Sequence, residues 1–333
     1  MLDRAGLIVL SMPEGPEVRR ITEKLRARVH GRSLLWLEMG PLDPASKYQQ
    51  VNQIWTQIAN GFPSTCLDII CKGKQLFFFF ENGLAFISGL GEEGHWYYFD
   101  LREPDGHDRL QSYMSNKNYK RFGLFFGKLT GKGQLAVSDT QIWYDDMISH
   151  GNFTVTNWAT AIEKMKTIGP DLLASSVPFA NVHPVLQKIL PQDFNRPVPI
   201  QQFVDSIRSP RRGNMEICKF LMKQEYCSGI GNYLKSEILY RSRIHPFRKL
   251  STLSDSEIVT LHSVSLSTIR EAYQCGGLTH GTFLDPDMEK GSFPIYIYKR
   301  AGQLDPFGNP ILFVSKKDSP DGRGTYFVPE VQR

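Results

Sequence analysis

The sequence has few cysteines and no closely spaced cysteine pair. Its five cysteines, an odd number, include no Cys-x-x-Cys motif. Such a set favours neither a disulfide framework nor a four-thiolate zinc site, and it is typical of a protein in a reducing compartment. We therefore expect an intracellular protein without structural disulfides.

The sequence also lacks a long apolar run and a strong charge of either sign. Its longest strongly apolar run, residues 76–80 (LFFFF), has the length of a buried strand and is far too short to span a membrane. The net charge of +5, from 39 basic and 34 acidic residues, allows an anionic partner without requiring one. We expect no association with a membrane.

The beginning of the chain fits no targeting signal. The apolar core of this segment, residues 7–10 (LIVL), is too short for a secretory signal, and the segment has too few arginines for a transit peptide. We expect residues 1–11 to be an extension or a mis-assigned start.

The order of the local patterns predicts helices and strands in separate parts of the chain. Apolar residues at helical spacing follow Pro16, and short aromatic-rich and β-branched runs separated by turns then continue to about residue 144. Helical patterns dominate residues 157–275, where Ser254 and Glu257 have the spacing of a capping box. Strand patterns return near the end of the chain, at residues 294–300, 311–315 and 325–328.

These patterns predict an α+β protein with several domains, for which 333 residues with 41% apolar and 22% charged side chains are ample. The N-terminal domain is predicted to be a β-sandwich with a leading helix. The predicted boundaries are residues 12–156 for this domain, 157–205 for a connecting segment, 206–291 for a helical domain and 292–333 for a C-terminal β-hairpin.

Residues 12–17 (MPEGPE) would place a proline at the start of the mature chain if cleavage followed Met12. An α-amino group has a pKa of about 7.7 to 8, so a large fraction is neutral and nucleophilic at physiological pH. A secondary amine that attacks an aldehyde-like carbon gives an iminium, and the next residue, Glu14, is placed to transfer the protons. The alternative is a proline and glycine turn ahead of a helix, with Pro16 at the first helical position.

Residues 224–234 (QEYCSGIGNYL) join two helical patterns through glycines. Glycines at a helix start let the backbone approach a phosphate, whose charge the free N–H groups and the helix dipole favour. On spacing alone, a tight turn between two helices is the alternative.

Four segments, in order along the chain, together resemble the formamidopyrimidine-DNA glycosylase and endonuclease VIII family, whose members excise oxidised bases. The four are residues 13–18 (PEGPEV), the glycine–lysine pair 73–74 before an apolar strand, residues 229–246 with a helix–two-turns–helix signature that begins GIGNY, and the finger hairpin 322–332 (GRGTYFVPEVQ). The resemblance implies a DNA glycosylase with lyase activity. Such an enzyme acts on double-stranded DNA with oxidised bases or abasic sites, and we expect it to be a monomer without a cofactor.

The resemblance also implies roles for residues at the start of the chain. Pro13 would attack the sugar carbon, expel the damaged base and form a Schiff base that resolves by strand cleavage. Glu14 would protonate the opening sugar ring, and Glu17 would help to orient the start of the chain. Lys74 would contact the phosphate beside the lesion and assist proton transfer, although a solvated lysine before a strand is the ordinary alternative.

Further DNA contacts are implied in the second half of the chain. Gly231 and Asn232 would bind the same stretch of DNA backbone, against an ordinary role of Asn232 as a helix N-cap. Arg323, at the tip of the hairpin, would hold the phosphate with two hydrogen bonds and favour the second elimination, against an ordinary surface arginine.

The finger departs from the usual family pattern. In most members it binds zinc through four cysteines, but residues 305–310 (DPFGNP) and 328–331 (VPEV) contain none. The hairpin therefore resembles the zincless finger of the endonuclease VIII-like subgroup. We expect no metal, with apolar packing of Phe307, Val328 and Val331 in its place.

Two loops also depart from the pattern. Glu92 and Glu93 lie where the family has a loop whose methionine fills the gap left by the flipped base, and Glu92 stands at the methionine position. A carboxylate beside DNA is unfavourable unless it accepts a hydrogen bond, for example from a cytosine amino group. Residues 139–143 (DTQIW) lie where the family has an arginine-rich wedge, so Trp143 is predicted to stack on bases. A core tryptophan on a strand is an equal alternative.

Three hypotheses about function follow. The resemblance to the endonuclease VIII branch predicts excision of oxidised pyrimidines and hydantoins with β,δ-elimination. Oxidised purines are the alternative, because residues 279–293 are long enough to form a loop that covers such a base. The third hypothesis is a non-catalytic DNA-binding homologue, since Met12 acylates Pro13 in the printed sequence and an amide nitrogen is not nucleophilic. The enzyme hypotheses therefore require translation from Met12 or processing to Pro13.

Overall fold

The structure is a computed structural model of the chain. It describes residues 13–40, 47–92, 94–115, 120–128, 138–146, 149–173, 181–191, 194, 196–278, 285–287 and 289–333. The predicted extension, Met12, Glu93 and residues 279–284 and 288 of the predicted base-covering loop lie outside the described residues.

The N-terminal part combines a long first helix with strands that follow it. In chain order its elements are α1 (Gly15–Val29), β1 (Ser33–Met39), α2 (Gln49–Ile58), β2 (Ser64–Lys72), β3 (Gln75–Phe80), β4 (Leu84–Gly89), β5 (His95–Asp100), α3 (Gly106–Ser115), β6 (Lys120–Gly127), β7 (Thr140–Asp145) and β8 (Asn152–Asn157).

The strands form an antiparallel sheet of eight, in the order β5-β7-β6-β1-β2-β3-β4-β8. Strands β1 and β2 share only the pairs Ser33↔Thr65 and Leu34↔Ser64, at one end of each strand. The sheet therefore folds at this point into two halves of four strands, and one buried core contains residues from both halves, such as Leu124 from β6 and Phe78 from β3. The predicted β-sandwich is confirmed.

Helix α1 packs against this sandwich and fixes the start of the chain. Pro16 lies in its first turn, where a missing backbone N–H costs nothing, and Glu17 is the acidic residue of that turn. The apolar residues of α1 recur at helical spacing and are fully buried, at Val18, Ile21, Leu25 and Val29. The leading helix is therefore confirmed.

Two helices, α2 and α3, interrupt a region for which the sequence patterns predict only strands. In α2, Val51, Trp55 and Ile58 pack against the main core at helical spacing. In α3, Leu110 and Tyr113 cover a second aromatic cluster on the sheet. The sequence patterns predict strands separated by turns in this region, and both helices lie in the segments between the predicted strands, where their short apolar stripes do not predict a helix.

The second half of the chain is helical. Its helices are α4 (Trp158–Thr167), α5 (Pro184–Gln187), α6 (Ile200–Arg208), α7 (Ile217–Met222), α8 (Asn232–Arg241) and α9 (Asp255–Gln274). The capping box at the start of α9 is present, with reciprocal bonds between Ser254 and Glu257. Among the described helices, none is both long and apolar enough to cross a bilayer. The exact domain boundaries stay a prediction.

A two-stranded hairpin, β9 (Leu312–Val314) and β10 (Thr325–Phe327), ends the chain. The strand predicted over residues 294–300 is wrong. The backbone N–H groups of Tyr296, Ile297 and Tyr298 donate instead to the buried carboxylate of Glu237, at 3.0 to 3.1 Å. These donors are therefore not available to a partner strand.

Polar side chains hold two turns of this C-terminal finger, at residues 305–309 and 328–332. The Asp305 carboxylate accepts from the backbone N–H groups of Phe307 and Asn309, at 2.9 and 2.7 Å, and from the Tyr240 hydroxyl at 3.0 Å. Asp305 is almost fully buried, so these donors offset the cost of burying its charge.

The second turn is held by Gln332. Its Oε1 accepts from the backbone N–H of Val328 at 2.8 Å, and its Nε2 donates to the Ile244 carbonyl at 3.0 Å. Val328 is fully buried in a small cluster against which Val331 packs, as the sequence predicts. The ring of Phe307, however, is 77% exposed, so the prediction that it packs in place of a metal is wrong.

Zinc, which most fingers of the resembled family hold, does not fit these turns. They offer no thiolate, and the Asp305 carboxylate already accepts hydrogen bonds from three residues. Within the described residues, no group of three or more His, Cys, Asp or Glu side chains could hold a metal ion.

We expect the variant Asp305→Ala to lose stability in the finger. It leaves two backbone donors and the buried Tyr240 hydroxyl without their acceptor, which costs about 1 to 3 kcal/mol of unfolding free energy. Urea unfolding measures this loss. The control is Asp318→Ala, an exposed carboxylate in the same hairpin that accepts from Ser315. Equal midpoints for the two variants would contradict the role of Asp305.

Candidate active site at the domain junction

Pro13 lies between the β-sandwich and the helical domain. It is buried and lines a pocket of about 200 Å³. Lys74 follows β2 in this pocket, Leu90 and His150 come from two loops of the sandwich, and Gln224 comes from the helical domain. A chain that begins at Pro13 would therefore present its amine to a pocket formed by both domains.

The Glu14 carboxylate lies at the N-terminus of α8. It accepts backbone hydrogen bonds from Gly231 at 2.6 Å, Tyr233 at 2.9 Å and Leu234 at 3.2 Å. The side chain is buried, and burial raises the pKa of Glu14 to about 7 against the opposing effects of the Lys74 charge and the backbone N–H groups. A carboxyl with this pKa is part protonated at neutral pH, so it can donate a proton or accept one.

Glu17 holds the backbone around Glu14. Its carboxylate accepts from the Glu14 backbone N–H at 2.9 Å, from the Tyr233 hydroxyl at 2.8 Å and from the Leu278 backbone N–H at 2.9 Å. Burial raises the pKa of Glu17, and the hydrogen bonds oppose that effect. Glu17 therefore links the start of α1 to the helical domain, and its orienting role in the reaction stays a prediction.

Lys74 occupies the tight turn between β2 and β3. The preceding Gly73 has φ +57°, and a Cβ there would lie 2.8 Å from the side chain of Ser228, so only glycine fits. The Gly73 N–H donates to Asp171 at 3.0 Å, which ties the turn to the segment that follows α4. Burial lowers the pKa of Lys74, although the charges of Glu14 and Glu17 oppose the shift.

Gly231 is the point at which Glu14 and Lys74 come closest to α8. A Cβ on Gly231 would lie 2.3 Å from Oε1 of Glu14 and 2.5 Å from Nζ of Lys74. The absence of a side chain at this position therefore lets the acid and the amine approach the same helix end.

Asn232 and Arg323 connect α8 to the finger. Nδ2 of Asn232 donates to the Gly324 carbonyl at 3.0 Å. The Arg323 backbone N–H donates to Asp321 at 3.0 Å, and Asp321 pairs with the fully buried Lys235 of α8. The Arg323 side chain, 38% exposed, is thus presented from a hairpin anchored beside Glu14.

The structure brings most of the predicted site residues to one place. Those at the junction are Pro13, Glu14, Glu17, Lys74, Gly231, Asn232 and Arg323. The alternative of a plain proline and glycine turn does not require this convergence, because it gives the buried carboxylates no partner in the second domain. The individual catalytic roles stay predictions.

The prediction that Trp143 stacks on DNA bases is wrong. It lies on β7 with 2% exposure, packs edge-on against Phe125 and donates to Gln141 at 3.0 Å. Stacking on a DNA base would require this side of the sheet to open. The alternative of a core tryptophan is therefore the one that the structure shows.

Sequence reasoning missed other residues of the site. Tyr298 lies close enough to Glu14 and Arg323 for their charges to act on it, and burial raises its pKa. His150 reaches the pocket from the loop between β7 and β8. Tyr298 falls in a segment with a strand pattern, and no local signal marks His150, because only tertiary packing brings its loop to Pro13.

Comparison with known proteins identifies the class. Residues 12–124 match the formamidopyrimidine-DNA glycosylase N-terminal domain, and residues 191–283 match the formamidopyrimidine-DNA glycosylase H2TH domain. The chain belongs to the formamidopyrimidine-DNA glycosylase and endonuclease VIII family. It is accordingly a DNA glycosylase with abasic-site lyase activity.

Relatives match over nearly their full length. The formamidopyrimidine-DNA glycosylase of Lactiplantibacillus plantarum is 26% identical over 97% of this chain and 100% of its own. Endonuclease 8 of Salmonella arizonae is 24% identical over 97% of this chain and 100% of its own. The complex between the Lactococcus lactis Fpg and an abasic site containing DNA has a TM-score of 0.72 and 21% identity, over 96% of this chain and 99% of that chain. This structural likeness shows the shared fold.

We expect Gly231→Ala to impair catalysis far more than folding. The added methyl group would displace the Glu14 carboxylate and Lys74, and displacement of catalytic groups by about 1 Å can cost roughly 100-fold in rate. Single-turnover cleavage of abasic-site DNA by the chain that begins at Pro13 measures the effect. Gly213→Ala is the control, since a Cβ there meets nothing closer than 3.5 Å. Similar rates for both variants would show that Gly231 does not set this geometry.

Proposed function

We propose that this protein is a bifunctional glycosylase and lyase that excises oxidised bases from double-stranded DNA through a Schiff base on Pro13. The observation that carries the proposal is the buried Glu14 carboxyl, with a pKa raised by burial to about 7, directly after Pro13 and at the junction of both domains. An acid of this strength beside an amine nucleophile suits ring opening of a deoxyribose.

The first part of the reaction is base removal. The neutral amine of Pro13 forms a bond to C1′ as the bond from C1′ to the damaged base breaks, and the base leaves with that electron pair. The bonded nitrogen loses its proton to the departing base anion, and Glu14 donates its own proton to the ring oxygen as the C1′–O4′ bond breaks, which leaves an iminium between Pro13 and C1′. Glu17, which accepts hydrogen bonds from the Glu14 backbone N–H and the Tyr233 hydroxyl, keeps Pro13 and Glu14 in position.

The second part is strand cleavage. The iminium acidifies C2′, so loss of a C2′ proton to a basic side chain forms a C2′–C3′ double bond and expels the 3′ phosphate. Loss of a C4′ proton then expels the 5′ phosphate, and water hydrolyses the remaining iminium to free Pro13. The lowered pKa of Lys74, caused by burial, increases the neutral fraction that can take up a proton near the phosphate. Arg323 would hold the phosphate through its planar guanidinium and stabilise the charge that leaves in the second elimination.

The arrangement also suits binding of a flipped nucleotide. Rotation of a nucleotide out of the duplex costs a few kcal/mol, roughly, which contacts to the neighbouring phosphates must offset. Lys74, Asn232 and Arg323 come from the sandwich, the helical domain and the finger, and all three lie around the N-terminus of α8. Such a set can hold the backbone on both sides of the lesion.

For the substrate we propose a preference for oxidised pyrimidines and hydantoins. The support is the finger, whose turns are held by Asp305 and Gln332 without thiolates, as in the endonuclease VIII-like subgroup that the sequence resembles. A preference for oxidised purines is the second candidate. Its support is the anchoring of Asp285 on α1, where it pairs with Arg20 at 2.7 Å and Lys24 at 2.6 Å, which would fix one end of a base-covering loop.

We expect borohydride to trap a covalent adduct between lesion DNA and the chain that begins at Pro13. The chain with residues 1–12 retained is the matched control, because acylated Pro13 cannot form an iminium. Duplexes with thymine glycol, a hydantoin or 8-oxoguanine give the preference, expected to be about tenfold or more in favour of the first two. Binding without an adduct on any lesion or abasic site would support the non-catalytic hypothesis instead, and a faster reaction on 8-oxoguanine would support the purine candidate.

The rate of base release should depend on pH through Glu14. Burial raises the pKa of Glu14 to about 7, so the acid form persists to neutral pH and is lost above it. Below about pH 7.7 to 8 the Pro13 amine is increasingly protonated, so the rate should fall on both sides of an optimum. Glu14→Gln should lower the rate by about 10²- to 10⁴-fold and remove the alkaline decline. An unchanged alkaline decline in single-turnover assays of this variant would assign the acid to another group.

A further inference from the structure

Arg323 contacts an acidic residue across the cleft. Its Nη1 lies 3.5 Å from Oε1 of Glu92, which belongs to the loop between β4 and β5. The other oxygen of Glu92, Oε2, lies 3.2 Å from Nδ1 of His150 in the loop between β7 and β8. We call this set of three side chains the Arg323–Glu92–His150 bridge.

The sandwich side of the bridge is held firmly. Gly91, just before Glu92, has φ +62°, and a Cβ on it would lie 2.4 Å from the backbone of His150. The Asp146 carboxylate accepts from the backbone N–H groups of His150 at 3.2 Å and Gly151 at 2.9 Å. Glu92 and His150 are therefore presented by two loops whose backbones pack against each other.

The finger side of the bridge is anchored to α8, the helix whose N-terminus contacts Glu14. Asp321 accepts from the Arg323 backbone and pairs with Lys235 of α8, and Asn232 of the same helix donates to Gly324. The bridge thus joins the sandwich to the finger beside the pocket that contains Pro13 and His150.

The side chains of the bridge remain accessible to a competing ligand. The exposed fractions are 38% for Arg323, 31% for Glu92 and 54% for His150. The distance of 3.5 Å between Arg323 and Glu92 is that of a loose ion pair, and exposed pairs of this kind are weak. A phosphate, which can accept two hydrogen bonds from one guanidinium, is a stronger ligand for Arg323 than this carboxylate.

We propose that Glu92 occupies the place of a DNA phosphate on Arg323, so that DNA binding exchanges an internal carboxylate for a phosphate. This inference rests on the proposed function, because it takes Arg323 as a phosphate ligand. Glu92 then sets how tightly the enzyme holds DNA before chemistry begins. After the exchange, Glu92 retains its contact with His150 and leaves the path of the phosphate.

The exchange has a specific consequence for salt dependence. A free arginine that binds a phosphate of duplex DNA releases a condensed counterion, and the slope of log affinity against log salt steepens by about 0.9 for each such contact. An arginine already neutralised by Glu92 changes one anion for another, while the freed carboxylate attracts a cation of its own. The wild-type slope should therefore be shallower than the number of phosphate contacts implies.

The test compares wild type with Glu92→Gln, which keeps the size of the side chain and removes its charge. The ligand is a duplex with a tetrahydrofuran abasic analogue, which cannot form a Schiff base, and Kd is measured in 50 to 200 mM KCl, roughly the range over which phosphate contacts dominate. We expect Glu92→Gln to bind about three- to tenfold more tightly at the lowest salt and to have a slope steeper by about 0.9.

Two controls separate the bridge from a general charge effect. Glu81→Gln removes an exposed carboxylate at the far end of β3, about 20 Å along the strand from Lys74, and should change neither Kd nor slope. In the Arg323→Ala background, Glu92→Gln should lose most of its gain in affinity, because the guanidinium that the substitution would free from Glu92 is absent. Thermal unfolding of every variant should match wild type, since the bridge is exposed.

Equal slopes for wild type and Glu92→Gln would overturn the exchange, as would an equal gain in the Arg323→Ala background. Failure of the proposed function gives a different result. In that case the wild-type chain that begins at Pro13 forms no borohydride adduct, whatever the slopes. A borohydride adduct together with equal slopes would contradict the proposed role of Glu92 and leave the proposed function in place.

Discussion

The contact between the Glu14 carboxylate and the N-terminus of α8 is the interaction on which the rest of the site depends. It joins residues 217 to 220 positions apart in the sequence, and it satisfies three helix N–H groups that have no partner within the helix. The positive end of the helix dipole lies at the same place, so it stabilises the buried carboxylate together with the nearby charge of Lys74. The Glu14 carboxyl therefore acquires its environment only when both domains are assembled.

This contact imposes a limit on side-chain volume at the junction. The backbone N–H of Gly15 donates to Gly229 at 2.8 Å, and a Cβ on Gly15 would lie 2.9 Å from the Gly229 Cα. Gly73 meets Ser228 and Gly231 meets Glu14 in the same manner. The glycines of three separate motifs thus serve one purpose, which is to bring the start of α1, the turn at Lys74 and the N-terminus of α8 within hydrogen-bond distance.

The residues of the candidate active site can be predicted from the sequence better than the packing of the residues around it. Pro13, Glu14, Lys74, Asn232 and Arg323 belong to short motifs in which residue type and spacing carry the chemistry, so they can be found without a structure. The burial of Trp143 depends instead on which side of a sheet faces an added helix, α3. The exposure of Phe307 depends on a turn held by the Asp305 carboxylate rather than by rings. Neither feature has a local signal, because each is decided by contacts between distant segments.

Burial at the junction acts on Glu14 and Lys74 in opposite directions. It raises the pKa of the acid and lowers the pKa of the amine, because in both cases the charged form is the one that loses hydration. The two pKa values therefore move toward each other, so at neutral pH a larger fraction of Glu14 is protonated and a larger fraction of Lys74 is neutral than in water. The attraction between the two charges limits this convergence. A phosphate that binds near Lys74 would favour its charged form, so the arrival of DNA would itself adjust the balance between acid and base.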